Sequence, residues 1–247
     1  MMDGKEEQGR RVHISIEGIS GSGKSDLGVL LEKPPLVFSL KRDLPPMPVR
    51  FFEERVNQNP FLKDFYEGGM KEVYAMASQM YYLNARIVMG ANIQRFNGLA
   101  LEDRSIFGDY VFAKNLHDIG KLSHGAFGTY CEYRDSMMKT YGLNGPDGVI
   151  FLDISVDTCI NERLKKRGTG EALDYDYWGR LIDEYRKEFR SISAHTPTIW
   201  IDANVDFLSD EDYVESVSKK ANGLIRDIMA KRRSDSTQQP LPIATLQ

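Results

Sequence analysis

Cysteine is nearly absent, with Cys131 and Cys159 the only two in 247 residues. They stand too far apart for a metal-ligand spacing and are too few for a disulfide framework, which fits a reducing compartment and predicts a cytoplasmic protein. Positive charge is not in excess either. Lys and Arg number 32 against 36 Asp and Glu, for a formal net charge of −4, so no nucleic-acid polymer is expected as a partner and any phosphate must be gripped locally. No apolar run approaches the ~20 residues of a membrane span, so no membrane partner is expected. The opening MMDGKEEQGRR mixes charges around no apolar core, unlike a secretory signal or a transit peptide. There is no internal repeat and no Asn-Lys-x-Asp run to read a guanine.

What is present suits one α/β domain, expected over residues 11–230 with loose tails at 1–10 and 231–247. Five short apolar runs read as strands: VHISI (12–16), MPVRFF (47–52), GLALED (98–103), GVIFLDI (148–154) and TIWIDA (198–203). Several are apolar on nearly every residue, as strands buried on both faces are. Helical periodicity fills the segments between them, which predicts three layers: a five-stranded parallel sheet flanked by helices. Ser209 with Asp212 reads as the capping box of the last helix, whose stripe runs from Tyr213 and Val214 to Ile228. The proline-rich stretch 33–48 reads as an irregular connection.

The first strand runs into GISGSGKS, residues 18–25. Gly18, Gly23, Lys24 and Ser25 fit G-x-x-x-x-G-K-[ST], a loop whose backbone N–H groups close around a β-phosphate. The run Gly18, Ile19, Ser20, Gly21, Ser22, Gly23, Lys24 and Ser25 is therefore expected to bind ATP. Lys24 would neutralise charge toward the γ-phosphate, Ser25 would ligate Mg²⁺, and a helix from Asp26 would present its N-terminus.

Three further clusters bear on where the phosphate goes. Glu53 and Glu54 end the second strand, where open α/β sheets bind ligands, and only one of the two can face the site. That one is either a base for an attacking hydroxyl or half of a solvated pair. Gln79 and Arg86, seven apart on a helical pattern, share a face that either reads the edge of a base or lies in water. Asp103 and Arg104 end the third strand, with Asp109 beyond, as a Mg²⁺ ligand and a phosphate clamp or as a plain ion pair.

Together these stretches resemble the deoxyribonucleoside kinase family over roughly residues 11–230. EERVNQNPFLKDFY resembles the family's E-P-V-x-x-N-P-x-L…F-Y segment, with Val56, Asn59 and Pro60 in register when Glu54 is the general base. The resemblance implies that Gln79 and Arg86 read the base, that Asp103-Arg104-Ser105 and Asp109 match the family's E-R-S and following aspartate, and that Tyr66 contacts the sugar 3′-hydroxyl. GPDGVIFLDISVDTCINERLKKRGTGE is similar to the stretch leading into the family's lid. It implies Arg163 and Arg167 on ATP, Glu171 on the substrate and a short lid over 163–171. Phe207 would stack on the donor adenine. Arg55 replaces a usual proline, Thr169 replaces a third lid arginine, Asp103 replaces a glutamate, and two extra residues separate Tyr66 from Gln79.

The implied fold is a P-loop kinase with a lid. The implied activity is transfer from ATP–Mg²⁺ to the 5′-hydroxyl of deoxyadenosine, deoxyguanosine or deoxycytidine, with Glu54, Arg104 and Lys24 catalytic, Arg86 pairing with Asp109 across the base pocket, and Tyr82 adding bulk where a thymine methyl would go. Family members commonly form homodimers. Two alternatives stand beside this: a thymidylate-type monophosphate kinase, which shares IEG…GSGKS, and a non-catalytic protein reusing the fold.

Overall fold

The computed structural model describes residues 11–33, 47–54, 58–167, 173–205 and 210–237. Thr169, Glu171, Phe207 and Ser209, and with them part of the expected lid and cap, lie outside the described residues.

The five expected strands form: β1 (Val12–Glu17), β2 (Val49–Phe52), β3 (Leu99–Asp103), β4 (Gly148–Asp153) and β5 (Thr198–Asp202). They make one parallel sheet in the order β2-β3-β1-β4-β5. All of β3 is buried, as is β4 up to its last residue, which matches their apolar runs. The chain leaves β1 toward one edge and later crosses to the other side, so the carboxyl end of β1 is a topological switch point, where such sheets bind ligands.

Alternation along the strands divides the helices into two layers. Helix α1 (Lys24–Glu32) lies on the face of Phe51, so tightly that a Cβ on Gly28 would come 2.1 Å from that ring. Helix α7 (Glu211–Thr237) packs on the same face, its Ile228 against Gly148 and near Ile14. Phe52 points the other way, to Ile93 of α3 (Glu72–Arg95). That layer also holds α4 (Ile106–Asp118), α5 (His124–Tyr141) and α6 (Tyr175–Ser193), whose Tyr185 and Phe189 meet Phe151. A short helix, α2 (Leu62–Glu67), precedes α3.

Two expectations are corrected. Asp210 caps α7, its carboxylate accepting the Tyr213 N–H at 3.0 Å, so the helix begins one residue later than a Ser209 cap implies. It also continues to Thr237, into the segment expected as a loose tail. Arg232 explains part of this: it donates to the Arg11 carbonyl and pairs with Asp147, tying the helix end to the chain around β1 and β4.

Candidate active site

The P-loop follows β1 as its sequence demands. Gly18 (φ +147°) has no room for a side chain, since a Cβ would lie 2.6 Å from the Ser22 hydroxyl. Gly23, at φ +89°, turns the chain into α1, which starts at Lys24, two residues before the expected Asp26. Lys24 is buried and donates to the Ile19 carbonyl at 3.0 Å. Burial, reinforced by Arg104, pulls its ammonium down to about 8 against Asp103, Glu54 and Glu17. The Ser25 hydroxyl donates to Asp103 Oδ2 at 2.7 Å, across from α1 to the end of β3. The other oxygen, Asp103 Oδ1, is buried without a hydrogen-bond partner.

That orphaned oxygen beside a hydroxyl fits a Mg²⁺ ion. Ser25 and Asp103 would hold such an ion together with phosphate oxygens and water, the small set of protein ligands usual for Mg²⁺.

A cleft of about 350 Å³ opens over the loop, lined by Ser20, Lys24, Ser25 and Asp103 and walled by Arg163 and Arg167. The two arginines come from a π-helical turn, Thr158–Leu164, continued by Lys165–Arg167. A Cβ on Gly21 would meet that of Arg163 at 2.9 Å, so the glycine loop and the lid root are in close contact. Lys166, which with Lys165 could supply charge where Thr169 replaces a lid arginine, lines the cleft as well, and so does Glu162, not singled out in the sequence.

A second pocket, about 30 Å³, is lined by Tyr66, Gln79, Tyr82, Asp109 and Phe112, and it shares Ser20, Glu54 and Arg104 with the phosphate cleft. It is far smaller than the few hundred Å³ usual for a ligand, so it must widen to take one. Gln79 lines this pocket, buried and with its Oε1 unpartnered. Asp109 is buried and accepts the Tyr130 hydroxyl at 2.7 Å. Burial raises its carboxyl to about 6, against Arg86 and the Tyr130 bond. Tyr130 was missed by sequence reasoning because it sits 21 residues away, on α5.

The choice between the paired glutamates is decided by alternation. Glu53 is exposed, whereas the Glu54 side chain is 6% exposed and stands between two guanidiniums. Arg86 pairs with Glu54 Oε1, and Arg104 Nη1 lies 3.6 Å from Oε2. Burial pushes the Glu54 carboxyl up, but Arg86, Arg104, Lys24 and Arg167 outweigh it and hold it below its ordinary value. The expected pairing of Arg86 with Asp109 is therefore corrected. Arg86 is occupied by Glu54 and by the Asp103 carbonyl at 2.7 Å, and it lines a different cavity, of about 850 Å³, that also touches Glu54 and Tyr82.

Arg104 is held in the left-handed region at φ +65°. Its guanidinium lies over the Phe112 ring at 4.5 Å and donates to the Gly18 carbonyl at 3.3 Å.

A family model described as Deoxynucleoside kinase matches residues 14–226. The chain is 30% identical over 206 residues to a deoxyadenosine kinase of Dictyostelium discoideum, covering 83% of this chain and 77% of that one. It is 32% identical over 211 residues to a deoxyguanosine kinase of Lactobacillus johnsonii, covering 81% and 86%. A solved structure of deoxyadenosine kinase from M. mycoides with bound dCTP superposes with a TM-score of 0.68 at 25% identity, over 85% of this chain and 98% of that one.

Proposed function

The chain belongs to the deoxynucleoside kinase family, and from that premise we propose that it transfers the γ-phosphoryl of ATP to the 5′-hydroxyl of deoxyadenosine, deoxyguanosine or deoxycytidine at the junction where Glu54 and Arg104 line both pockets. That shared pair is the observation that carries the reading. The family match disfavours a thymidylate-type monophosphate kinase.

ATP lies along Gly18–Ser25, with Arg163 and Arg167 above it and Phe207 as the expected platform for its adenine. Ser25 and Asp103 hold Mg²⁺, which supplies charge neutralisation at the phosphates. Glu54 takes the proton from the 5′-hydroxyl. Arg104 and Lys24 stabilise the negative charge of the transferring group, since positioning and electrostatics do most of the work in this chemistry. Tyr66 and Glu171 hold the sugar. Gln79 offers an amide to the base, and Asp109 offers an acceptor that suits an exocyclic amino group and repels a thymine carbonyl. A cytoplasmic homodimer belongs to the same reading, on the ground that members of the resembled family commonly form homodimers.

The test is transfer from labelled ATP with Mg²⁺ to each of the four deoxynucleosides and their monophosphates. The reading predicts labelled monophosphates, with thymidine the poorest acceptor. Transfer to the monophosphates alone contradicts it.

A further inference from the structure

Glu17 ends β1, is 0% exposed and lines neither the phosphate cleft nor the acceptor pocket. A buried carboxyl group is costly unless it is hydrogen-bonded or paired. Its Oε1 accepts the Ser15 hydroxyl at 2.5 Å and the Ser105 N–H at 2.7 Å, while Oε2 is buried without a hydrogen-bond partner.

The Ser105 N–H belongs to the peptide that joins it to Arg104. The Arg104 N–H donates to the Ile16 carbonyl at 3.0 Å. The last two residues of β1 therefore grasp both peptides that flank Arg104. That residue needs grasping: it is one of two non-glycine residues at positive φ among those described, a conformation that is strained for an L-residue and persists only when its surroundings enforce it.

The far side is equally confined. A Cβ on Gly108 would come 2.3 Å from Glu17 Oε2 and 2.8 Å from both the Arg104 Cγ and the Tyr185 hydroxyl. Tyr185 donates to the Gly108 carbonyl at 2.8 Å. The first turn of α4 thus presses Glu17 and the stem of Arg104 together, and residue 108 can do so because it has no side chain.

We propose that Glu17 is a positioning residue for phosphoryl transfer: its Oε1 clamps the Arg104–Ser105 peptide, so that Arg104 keeps the left-handed backbone that aims its guanidinium at Gly18 and Glu54. The proposal rests on the catalytic role given above to Arg104. A carboxylate that merely fills a polar gap would contribute to stability without coupling to that arginine.

The experiment is a double-mutant cycle of Glu17→Ala and Glu17→Gln with Arg104→Ala, reading kcat, both KM values and the melting temperature. The expected result is a kcat loss of about 10- to 100-fold in E17A and about 3- to 10-fold in E17Q, which keeps an acceptor oxygen, with KM values within about threefold. On the R104A background neither change lowers kcat by more than about twofold. Losses that multiply in full on R104A, or a lowered melting temperature with wild-type kcat, overturn the clamp. If E17A does not fold, the E17Q cycle decides. Wild-type kcat in R104A would overturn the role of Arg104 itself, and the clamp with it.

Discussion

Arg86 gives its guanidinium to Glu54 and leaves Asp109 to Tyr130. The carboxylate proposed as base is thus ionised inside the fold, because its buried charge is matched by Arg86 and, at 3.6 Å, by Arg104. Replacing Arg86 with Gln removes the closer cation, so the Glu54 carboxyl should move up toward and beyond its ordinary value. A site-resolved carbon NMR titration of the glutamate carboxyls measures this. An unmoved Glu54 titration in R86Q would show that the pair does not set its charge.

Asp109 has the opposite balance, with burial raising its carboxyl from 3.8 to about 6. The folded state then holds a proton that the unfolded chain releases. This contribution to stability is full below pH 3.8 and is lost as pH rises through about 6, amounting to roughly 3 kcal/mol at most. Asp109→Asn should therefore melt higher than wild type at pH 8, with the gap closing toward pH 4. Melting curves over that range check the sign, and a variant less stable at pH 8 than at pH 4 relative to wild type would reverse it.

Ser25 and Asp103 face each other at 2.7 Å, with one Asp103 oxygen unpartnered. Ser25→Ala and Asp103→Asn should each raise the Mg²⁺ concentration for half-maximal velocity by about tenfold or more, a loss of ~1.4 kcal/mol of metal binding. The KM for the nucleoside should hardly change. Titration of Mg²⁺ at saturating ATP separates the two, and an unchanged Mg²⁺ requirement removes both residues from the metal site.

Asp109 is also the acceptor expected to refuse thymine. Asp109→Ala should raise kcat/KM for thymidine relative to deoxyadenosine by about tenfold, the value of a polar contact of ~1.4 kcal/mol. Competition between the two nucleosides measures the ratio directly, and a ratio that stays fixed or falls assigns base selection to other residues.

Much of the architecture is legible in the sequence because strands buried on both faces carry their own signal: four of the five expected runs contain the observed strands, and the first, 12–16, stops one residue short of the end of β1 at Glu17. The phosphate loop is local chemistry and reads without a fold. Strand alternation allows only one of Glu53 and Glu54 inward without saying which, and it is the register of Val56, Asn59 and Pro60 in the family resemblance that points to Glu54. The partners of buried charges were not legible. Arg86, Asp109 and Tyr130 come from α3, α4 and α5, and their pairing depends on how those helices pack rather than on spacing. Glu17 carried a faint sign, an acidic residue ending a strand buried on both faces, but its hold on the peptide after Arg104 appears only once β1 and β3 lie side by side. The extended α7 likewise depends on Arg232 reaching Arg11 and Asp147 from across the chain.

The most direct test of the junction is the rate of phosphoryl transfer by Glu54→Gln, measured beside wild type with the deoxynucleoside that reacts fastest. The amide keeps the shape of the side chain but accepts no proton, so kcat should fall by about 10²- to 10⁴-fold while nucleoside and ATP still bind. A Glu54→Gln enzyme that transfers phosphate at the wild-type rate would contradict the account.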